Sequence, residues 1–330
     1  MCIADRFAAM STYSRLPDVI VCAHANRDRH HTTMVSQFGY SIIAFVLFTA
    51  QALAAPLFDD HAVLDVTLTG PVSTLIDSKD RREELSFTLQ TGGVEQQVAV
   101  RVRGQSRLQV CDFPPLRLRL AEPVTAAGFA GQDKLKLVTH CRHYDQGEQD
   151  LLEEYAAYRI LNVLTETSYR ARLLRISYVD TDQKLEQKSA LRYGFLLEPD
   201  RQLADRLHAN IAKLRGVPKK RHDRKIAALV YVFQHLIGNT DWGLVKADAS
   251  DACCHNITLL ERDSRVFFVP YDFDRSGLVN ARYASPDPTL RIDRVTQRLY
   301  RGLCTDREYL LDALRNVKSR QADILTVLQE

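Results

Sequence analysis

Apolar and polar residues alternate along much of the chain between residues 62 and 140. Strict alternation predicts a β-strand with one buried face, because successive side chains of a strand point to opposite sides of the sheet. Each run is bounded by glycine, proline or a polar cluster, which favours turns at its ends. The runs are AVLDVTLTG (62–70), LSFTLQT (85–91), QQVAVRVRG (96–104), PLRLRLA (115–121) and DKLKLVTH (133–140). The first part of the chain is therefore predicted to be rich in β-strands.

Helical periodicity follows this alternating region and recurs towards the end of the chain. An apolar stripe predicts helices at residues 148–166 and 225–239, the second ending near Gly238 and Asn239. Two more helices are predicted at residues 289–302 and 307–330. Further strands are predicted at 169–180 and 189–200, and a β-hairpin at 255–260 and 265–273.

This order of elements predicts an α+β fold with two lobes. We expect a β-rich N-terminal lobe with one long helix at residues 55–199. A helix-rich C-terminal lobe with an embedded active-site hairpin would occupy residues 200–330. Such an arrangement is that of protein-kinase-like folds, among others.

An apolar run, YSIIAFVLFTAQALAAP, occupies residues 40–56 and contains a cleavage pattern of small residues at 52–54. Its length suits a secretory signal and is short for a membrane span. We therefore expect translation to begin at Met34, residues 1–33 to be an extension from a wrongly chosen start, and residues 34–54 to be a signal peptide. An uncleaved signal anchor is the alternative. Both predict an extracytoplasmic protein, periplasmic or secreted, and cleavage would leave no stable membrane span.

Five of the seven cysteines follow the predicted signal peptide. Cys111 and Cys141 each border a predicted strand, so we expect them to form a disulfide. Cys304 with Cys253 or Cys254 is a second candidate pair. Such bridges persist in an oxidising compartment.

The charge balance argues against a nucleic-acid partner. The formal net charge is only +3, and many lysines and arginines stand next to acidic residues. Hydrophobic residues make up 45% and charged residues 26% of the chain, as in an ordinary globular protein.

Two aspartates, Asp272 and Asp274, stand at the end of the apolar strand in VPYDFD (269–274). A buried ionised carboxylate is costly unless a cation or dense hydrogen bonding compensates it. A hairpin brings its ends together, so Asn256 should lie near Asp272, and Asp241 can join them from the preceding loop. Carboxylate and amide oxygens are ligands that Mg²⁺ prefers. The sequence therefore predicts a Mg²⁺ or Mn²⁺ site formed by Asn256, Asp272 and Asp274, next to Asp241.

An aspartate in a loop, an asparagine at the start of a hairpin and DFD at its end follow the order of protein-kinase-like active sites. The chain resembles the spore-coat protein H (CotH) family of atypical kinases and, more distantly, HipA-like and phosphoinositide-kinase-like sites. The motifs that carry this resemblance are RVRGQSR (101–107), FPPLRLRL (113–120), KLKLVTHCRHYDQGEQDLLEEYAAYRIL (134–161), RYGFLLEPD (192–200) and VPYDFD (269–274).

The resemblance implies a role for each of these polar residues. Asp241 would be the catalytic base or the carboxylate that orients a hydroxyl, and Asn256 and Asp272 would hold Mg²⁺ with Asp274 nearby. ATP would be the co-substrate. A lysine of the strand would contact its phosphates and pair with a helix glutamate, two arginines would lie over the phosphates, and a later glutamate would lie near the adenine. These nucleotide-binding residues are Lys134 or Lys136, Glu153 or Glu154, Arg103 and Arg107, and Glu198.

The first functional hypothesis is an exported, CotH-like atypical kinase that transfers a phosphoryl group from ATP to a protein or small hydroxyl acceptor. Its partners would be a nucleotide and that acceptor. Two alternatives stay open. One is a catalytically inactive envelope or coat protein with a kinase-like fold that binds a ligand or partner. The other is a metal-dependent phosphoesterase that uses the same acids.

Overall fold

Seven β-strands close into a mixed barrel in the computed structural model, which describes residues 56–124, 126, 128–185, 190–244 and 253–330. The strands are β1 (Leu64–Gly70), β2 (Leu85–Thr91), β3 (Val94–Val102), β4 (Leu116–Leu120), β5 (Lys134–Val138), β6 (Ala171–Asp180) and β7 (Leu191–Leu197). Their order around the barrel is β1-β2-β3-β4-β5-β7-β6. Neighbours are antiparallel except β1 and β6, which pair in parallel and close the barrel.

The barrel core comes from the apolar positions of the alternating runs. Val66 and Leu68 of β1 and Phe87 and Leu89 of β2 are all buried, whereas their neighbours in sequence are more exposed. Alternation thus identified both the strands and the face that each buries. The seven strands predicted between residues 62 and 200 are confirmed, with ends that differ by a few residues.

A second, three-stranded sheet has the order β10-β9-β8. Its strands are β8 (Asn210–Ile211), β9 (Ile257–Arg262) and β10 (Arg265–Pro270), and the predicted hairpin of β9 and β10 is confirmed. The described residues also form seven α-helices and a 3-10 turn at Lys219–Arg221. The helices are α1 (Val72–Asp77), α2 (Ser106–Val110), α3 (Asp145–Leu164), α4 (Asp200–Arg206), α5 (Arg224–Leu236), α6 (Arg307–Ser319) and α7 (Gln321–Val327).

The expected two-lobed, protein-kinase-like fold with a helix-rich C-terminal lobe is wrong. The N-terminal strands form a closed barrel, because β6 returns to pair with β1 along seven residues, from Leu64 opposite Leu174 to Gly70 opposite Asp180. Residues 200–330 contain a sheet as well as helices, and no helix forms at residues 289–302. Alternation predicts which residues form strands, but the order of distant strands is decided by non-local pairing.

Helix α3 begins close to the end of β5. A Cβ atom at Gly147 would lie 2.6 Å from the carbonyl oxygen of His140, so only glycine allows this close approach. Farther along, the ring of Tyr158 packs against Phe195 of β7 and against Phe273 after β10. The helix thereby joins the barrel to the hairpin.

The predicted disulfide between Cys111 and Cys141 is confirmed. It links the end of α2 to the segment before α3. The predicted pairing of Cys304 with Cys253 or Cys254 is wrong, because those two cysteines are bonded to each other and Cys304 is an exposed free cysteine. Two adjacent cysteines can meet without any approach of a distant segment, which Cys304 would have required.

The predicted extension (residues 1–33) and signal peptide (34–54) lie outside the described residues, so both remain predictions, as does the extracytoplasmic location. The boundary between residues 199 and 200 is likewise a prediction. Across the part of the chain that the structure describes, none of the helices is long and apolar enough to cross a membrane.

Candidate functional site

Three carboxylates from distant parts of the chain meet at the guanidinium of Arg107. Its Nη2 donates to both oxygens of Glu154, each at 2.9 Å, and to Oδ1 of Asp272 at 3.0 Å. Its Nε donates to Oδ2 of Asp274 at 3.1 Å. One oxygen from each acid can be chosen so that all three lie within 4.8 Å of one another, an arrangement that could hold a metal ion.

Local structure explains why both aspartates face this centre. Phe273, between them, is completely buried and packs against Tyr158 and Phe233. Asp272 has a φ of 63°, a left-handed conformation that aspartate adopts more readily than most residues, and its backbone N–H donates to the Tyr158 hydroxyl at 2.9 Å. The buried ring and the left-handed turn together direct two nearby carboxylates to Arg107.

Arg107 itself is placed by a short helix after a glycine turn. Gly104 has a φ of +96°, which favours glycine, and α2 begins two residues later. The N–H of Cys111 donates to the carbonyl of Arg107 at 2.9 Å, and the Cys111–Cys141 disulfide anchors this end of the helix. The arginine therefore has a backbone that is fixed on both sides.

The site is short of positive charge. Three ionised acids and Arg107 would leave a formal balance of two negative charges in a largely buried place, which is costly without a further cation. Burial, with the nearby charges of Asp274 and Asp272, raises the pKa of Glu154 to about 7 despite the arginine. Burial also raises the pKa of Asp272. A divalent cation would restore the balance, and the oxygen donors suit one.

Access to the acidic centre is from the side of Asp272. Its side chain is 42% exposed, whereas those of Glu154 and Asp274 are 3% and 7% exposed. The Tyr283 hydroxyl donates to Oδ2 of Asp274 at 2.9 Å on the buried side. A ligand would therefore meet Asp272 first.

Arg103 lies close enough to Asp272 for the two charges to interact. Burial lowers the pKa of Arg103, and the negative charge of Asp272 opposes that shift. Among the described residues, its guanidinium makes no hydrogen bond or ion pair. A partly buried, uncommitted guanidinium is suited to bind an anion.

Asp241 also lies near Asp272, close enough for its charge to raise the pKa of Asp272. Its Oδ1 is 3.0 Å from Nε2 of His255, and Nδ2 of Asn256 donates to its backbone carbonyl at 2.8 Å and to Oδ2 at 3.2 Å. Burial alone would raise the pKa of Asp241, but the hydrogen bond and charge of His255 and the charge of Arg275 hold it below its ordinary value. Asp241 is therefore ionised at neutral pH.

The two ends of the hairpin meet as expected. Tyr271 directly precedes Asp272, and its N–H donates to the carbonyl of Asn256 at 3.0 Å. However, the Asn256 side-chain amide is directed to Asp241, and Glu154 is the third carboxylate of the acidic centre. The geometry thus adds Glu154, one of the two glutamates predicted to pair with a lysine, to the two aspartates.

The predicted nucleotide-binding residues are divided between the site and other places. Lys136 pairs with Asp200 at 2.9 Å. Asp200 in turn lies near Arg103, and the positive charge of Arg103 helps to lower the pKa of Asp200. Lys134 is exposed and pairs with Asp133 at 3.6 Å.

The two remaining predicted glutamates, Glu153 and Glu198, are not part of the acidic centre. Glu153 is buried and accepts a hydrogen bond from Gln149. Glu198 is buried in a salt bridge with Arg206, at 2.8 Å. Its carboxylate is therefore already engaged.

Sequence reasoning missed two polar contacts of the site. His255 directly precedes Asn256 at the start of the hairpin, and this adjacency was the available signal for its contact with Asp241. The contact of Tyr283 with Asp274 had no comparable signal, because Tyr283 lies in a segment without regular structure.

No protein-family model matches the chain, and no curated protein matches it. The resemblance to the CotH family consequently rests on the short motifs quoted above and stays a prediction.

Proposed function

We propose that the chain is a divalent-cation-dependent phosphotransferase that moves the γ-phosphoryl group of ATP to a hydroxyl acceptor. One observation carries the proposal: a largely buried centre of three acids, with Arg107 as its one bonded cation, lies near an ionised carboxylate, Asp241, that is not part of it. Positioning and charge neutralisation supply most of the rate in phosphoryl transfer. The acidic centre is the candidate for binding the neutralising cation, and Asp241 is the candidate for positioning the acceptor.

Asp272, Asp274 and Glu154 are the residues that would hold Mg²⁺ or Mn²⁺. Their hard oxygen donors and their shortage of positive charge fit such an ion. When bound, the ion would neutralise the charge on the transferring phosphate. Arg107 keeps the three acids together, and Arg103 is the guanidinium available to phosphate oxygens.

Asp241 would accept the proton of the acceptor hydroxyl. A bond forms between the acceptor oxygen and the γ-phosphorus, the bond from that phosphorus to the bridging oxygen breaks, and ADP leaves. The Asp241 side chain is 31% exposed, so an acceptor can reach it, and its lowered pKa keeps it in the form that accepts a proton. His255 holds its Oδ1.

The experiment is phosphoryl transfer from radiolabelled MgATP to a mixture of protein and small hydroxyl acceptors. Asp272→Asn and Asp241→Asn are each expected to lower the rate at least about 100-fold. The matched control is Asp312→Asn, which removes an exposed carboxylate of α6 that pairs with Arg315. This control should keep the wild-type rate. Equal rates in all four proteins would contradict the proposal, and phosphate release without any acceptor would indicate a phosphoesterase instead.

A catalytically inactive ligand-binding protein is the second candidate, and one observation favours it. Arg107 already donates to all three acids, so a guanidinium lies where positive charge is needed. The same assay separates the two functions. Nucleotide binding by wild type in equilibrium dialysis, with no transfer in the presence of Mg²⁺ or Mn²⁺, would support this candidate.

A further inference from the structure

The side chain of Arg301 donates hydrogen bonds to the loop that carries Asp241. Its Nη1 donates to the carbonyl oxygen of Thr240 and, at 2.8 Å, to that of Trp242. These carbonyls belong to the residues immediately before and after Asp241. One guanidinium therefore bridges a carbonyl on each side of Asp241 and holds the backbone that carries its side chain.

The other polar groups of this loop have partners of their own. The N–H of Asp241 donates to Oδ1 of Asn239 at 2.9 Å, and the indole N–H of Trp242 donates to the Asn239 carbonyl at 3.1 Å. The Asp241 carbonyl accepts from Asn256. The carbonyls of Thr240 and Trp242 also need donors, because unpaired backbone groups are costly away from water. Arg301 supplies both.

Arg301 belongs to residues 281–306, which form neither helix nor strand, yet this segment is anchored at a second point. Arg298 donates from Nε and Nη2 to the carbonyl of Leu236, the last residue of α5, at 3.3 and 3.1 Å. A cation at a helix C-terminus is favourable. Gly238, with a φ of +67° that favours glycine, turns the chain between Leu236 and Thr240.

We propose that Arg301 is a positioning residue that keeps the Asp241 carboxylate in place to receive the acceptor proton, an inference that rests on the proposed phosphotransfer. Its hydrogen bonds in the site are to the two loop carbonyls, so it acts through the loop and not on the phosphate. Removing it should leave nucleotide binding intact and slow the chemical step.

The test uses the full chain with Arg301→Met, which keeps the length of the side chain without its donors, and Arg301→Lys, which restores one charged donor. The control is Arg291→Met, which changes an exposed arginine of the same segment. Trp242 is the only tryptophan in the chain and is 3% exposed, so its fluorescence reports on this loop without any substrate.

For Arg301→Met we expect red-shifted emission and easier acrylamide quenching. We also expect a fall in kcat of about tenfold or more, with KM for MgATP within about twofold of wild type. Arg301→Lys should recover part of both losses, and Arg291→Met should match wild type. Should Arg301→Met fail to fold, the lysine variant decides by the same two measurements against wild type.

Unchanged fluorescence would overturn the inference, and so would a rise in KM with unchanged kcat. A wild-type protein without transfer activity would instead refute the proposed function. The fluorescence would then still decide whether Arg301 holds the loop, and an unchanged spectrum would refute that as well.

Discussion

His140 makes the stability of this protein depend on pH. It is completely buried, and its ring packs 4.7 Å from that of Phe113. Within the described part of the chain, its two ring nitrogens have no hydrogen-bond partner. Burial, with smaller contributions from the charges of His143 and Arg192, lowers the pKa of His140 from 6.5 to about 3. The folded protein therefore keeps this imidazole neutral at a pH where the unfolded chain would protonate it.

The sign and size of the effect follow from these two pKa values. Because the unfolded chain binds the extra proton, the stability contributed by neutral His140 is complete above pH 6.5 and is lost as the pH falls towards 3. At pH 5, about one and a half units below the ordinary pKa of histidine, the free energy of unfolding has fallen by roughly 2 kcal/mol, at about 1.36 kcal/mol per unit. By pH 3 the loss reaches roughly 5 kcal/mol.

We predict that His140→Phe removes this part of the pH dependence. Phenylalanine has a similar ring and no titrating group, and any overpacking, about 1–3 kcal/mol, would lower stability equally at each pH. Guanidinium unfolding followed by circular dichroism at pH 8, 6.5 and 5, with the disulfide intact, measures the difference. Wild type should lose about 2 kcal/mol more than the variant between pH 8 and 5.

The control for this experiment is His208→Asn, which removes an exposed histidine. It should follow the wild-type pH dependence. The reasoning is refuted if His140→Phe and wild type lose the same free energy of unfolding between pH 8 and 5, or if the control removes the difference equally well.

Three further predictions concern the acidic centre and its surroundings. Arg107→Met should lower the free energy of unfolding at pH 7 by roughly 3–5 kcal/mol, because it leaves the two buried acids and the partly exposed Asp272 without their bonded cation. Urea unfolding that shows a loss of less than about 1 kcal/mol would contradict this. Asp272→Asn should weaken Mn²⁺ binding in calorimetry at least about tenfold by removing one of three anionic ligands, and an unchanged affinity would place the ion elsewhere. Replacing Cys111 and Cys141 together by serine should lower the free energy of unfolding by about 3.5 kcal/mol, because the unfolded chain gains the entropy of an open loop with a separation of 30 residues. Unchanged stability would contradict that estimate.

The site shows how far local sequence patterns reach. Asp241, Asn256 and the two aspartates after β10 were grouped because one loop and one hairpin carry them all, and a hairpin brings its own ends together. Arg107 and Asp274 are 167 residues apart, and Arg107 and Glu154 are 47 apart. No periodicity connects such positions. The sequence therefore predicts that Arg107 lies over the phosphates, whereas the structure has it donate to all three acids.

The predicted helix at residues 289–302 illustrates the opposite case. Its sequence has helical periodicity, but Arg298 and Arg301 are used there to donate to carbonyls at the end of α5 and in the Asp241 loop. Helical propensity is a weak preference that tertiary contacts override. The segment therefore stays irregular.

By itself, the sequence determined the barrel strands, the long helix α3, the end of α5 near Gly238, the β9–β10 hairpin and the Cys111–Cys141 pair, because each depends on side-chain periodicity or on signals close in the chain. Only the tertiary structure decided that β6 closes the barrel on β1, that Glu154 joins Asp272 and Asp274, and that Arg107 and Arg301 hold the two acidic parts of the site. Those outcomes depend on contacts between distant segments, whose energies come from pairing and burial in the complete fold and leave no periodic pattern in the chain.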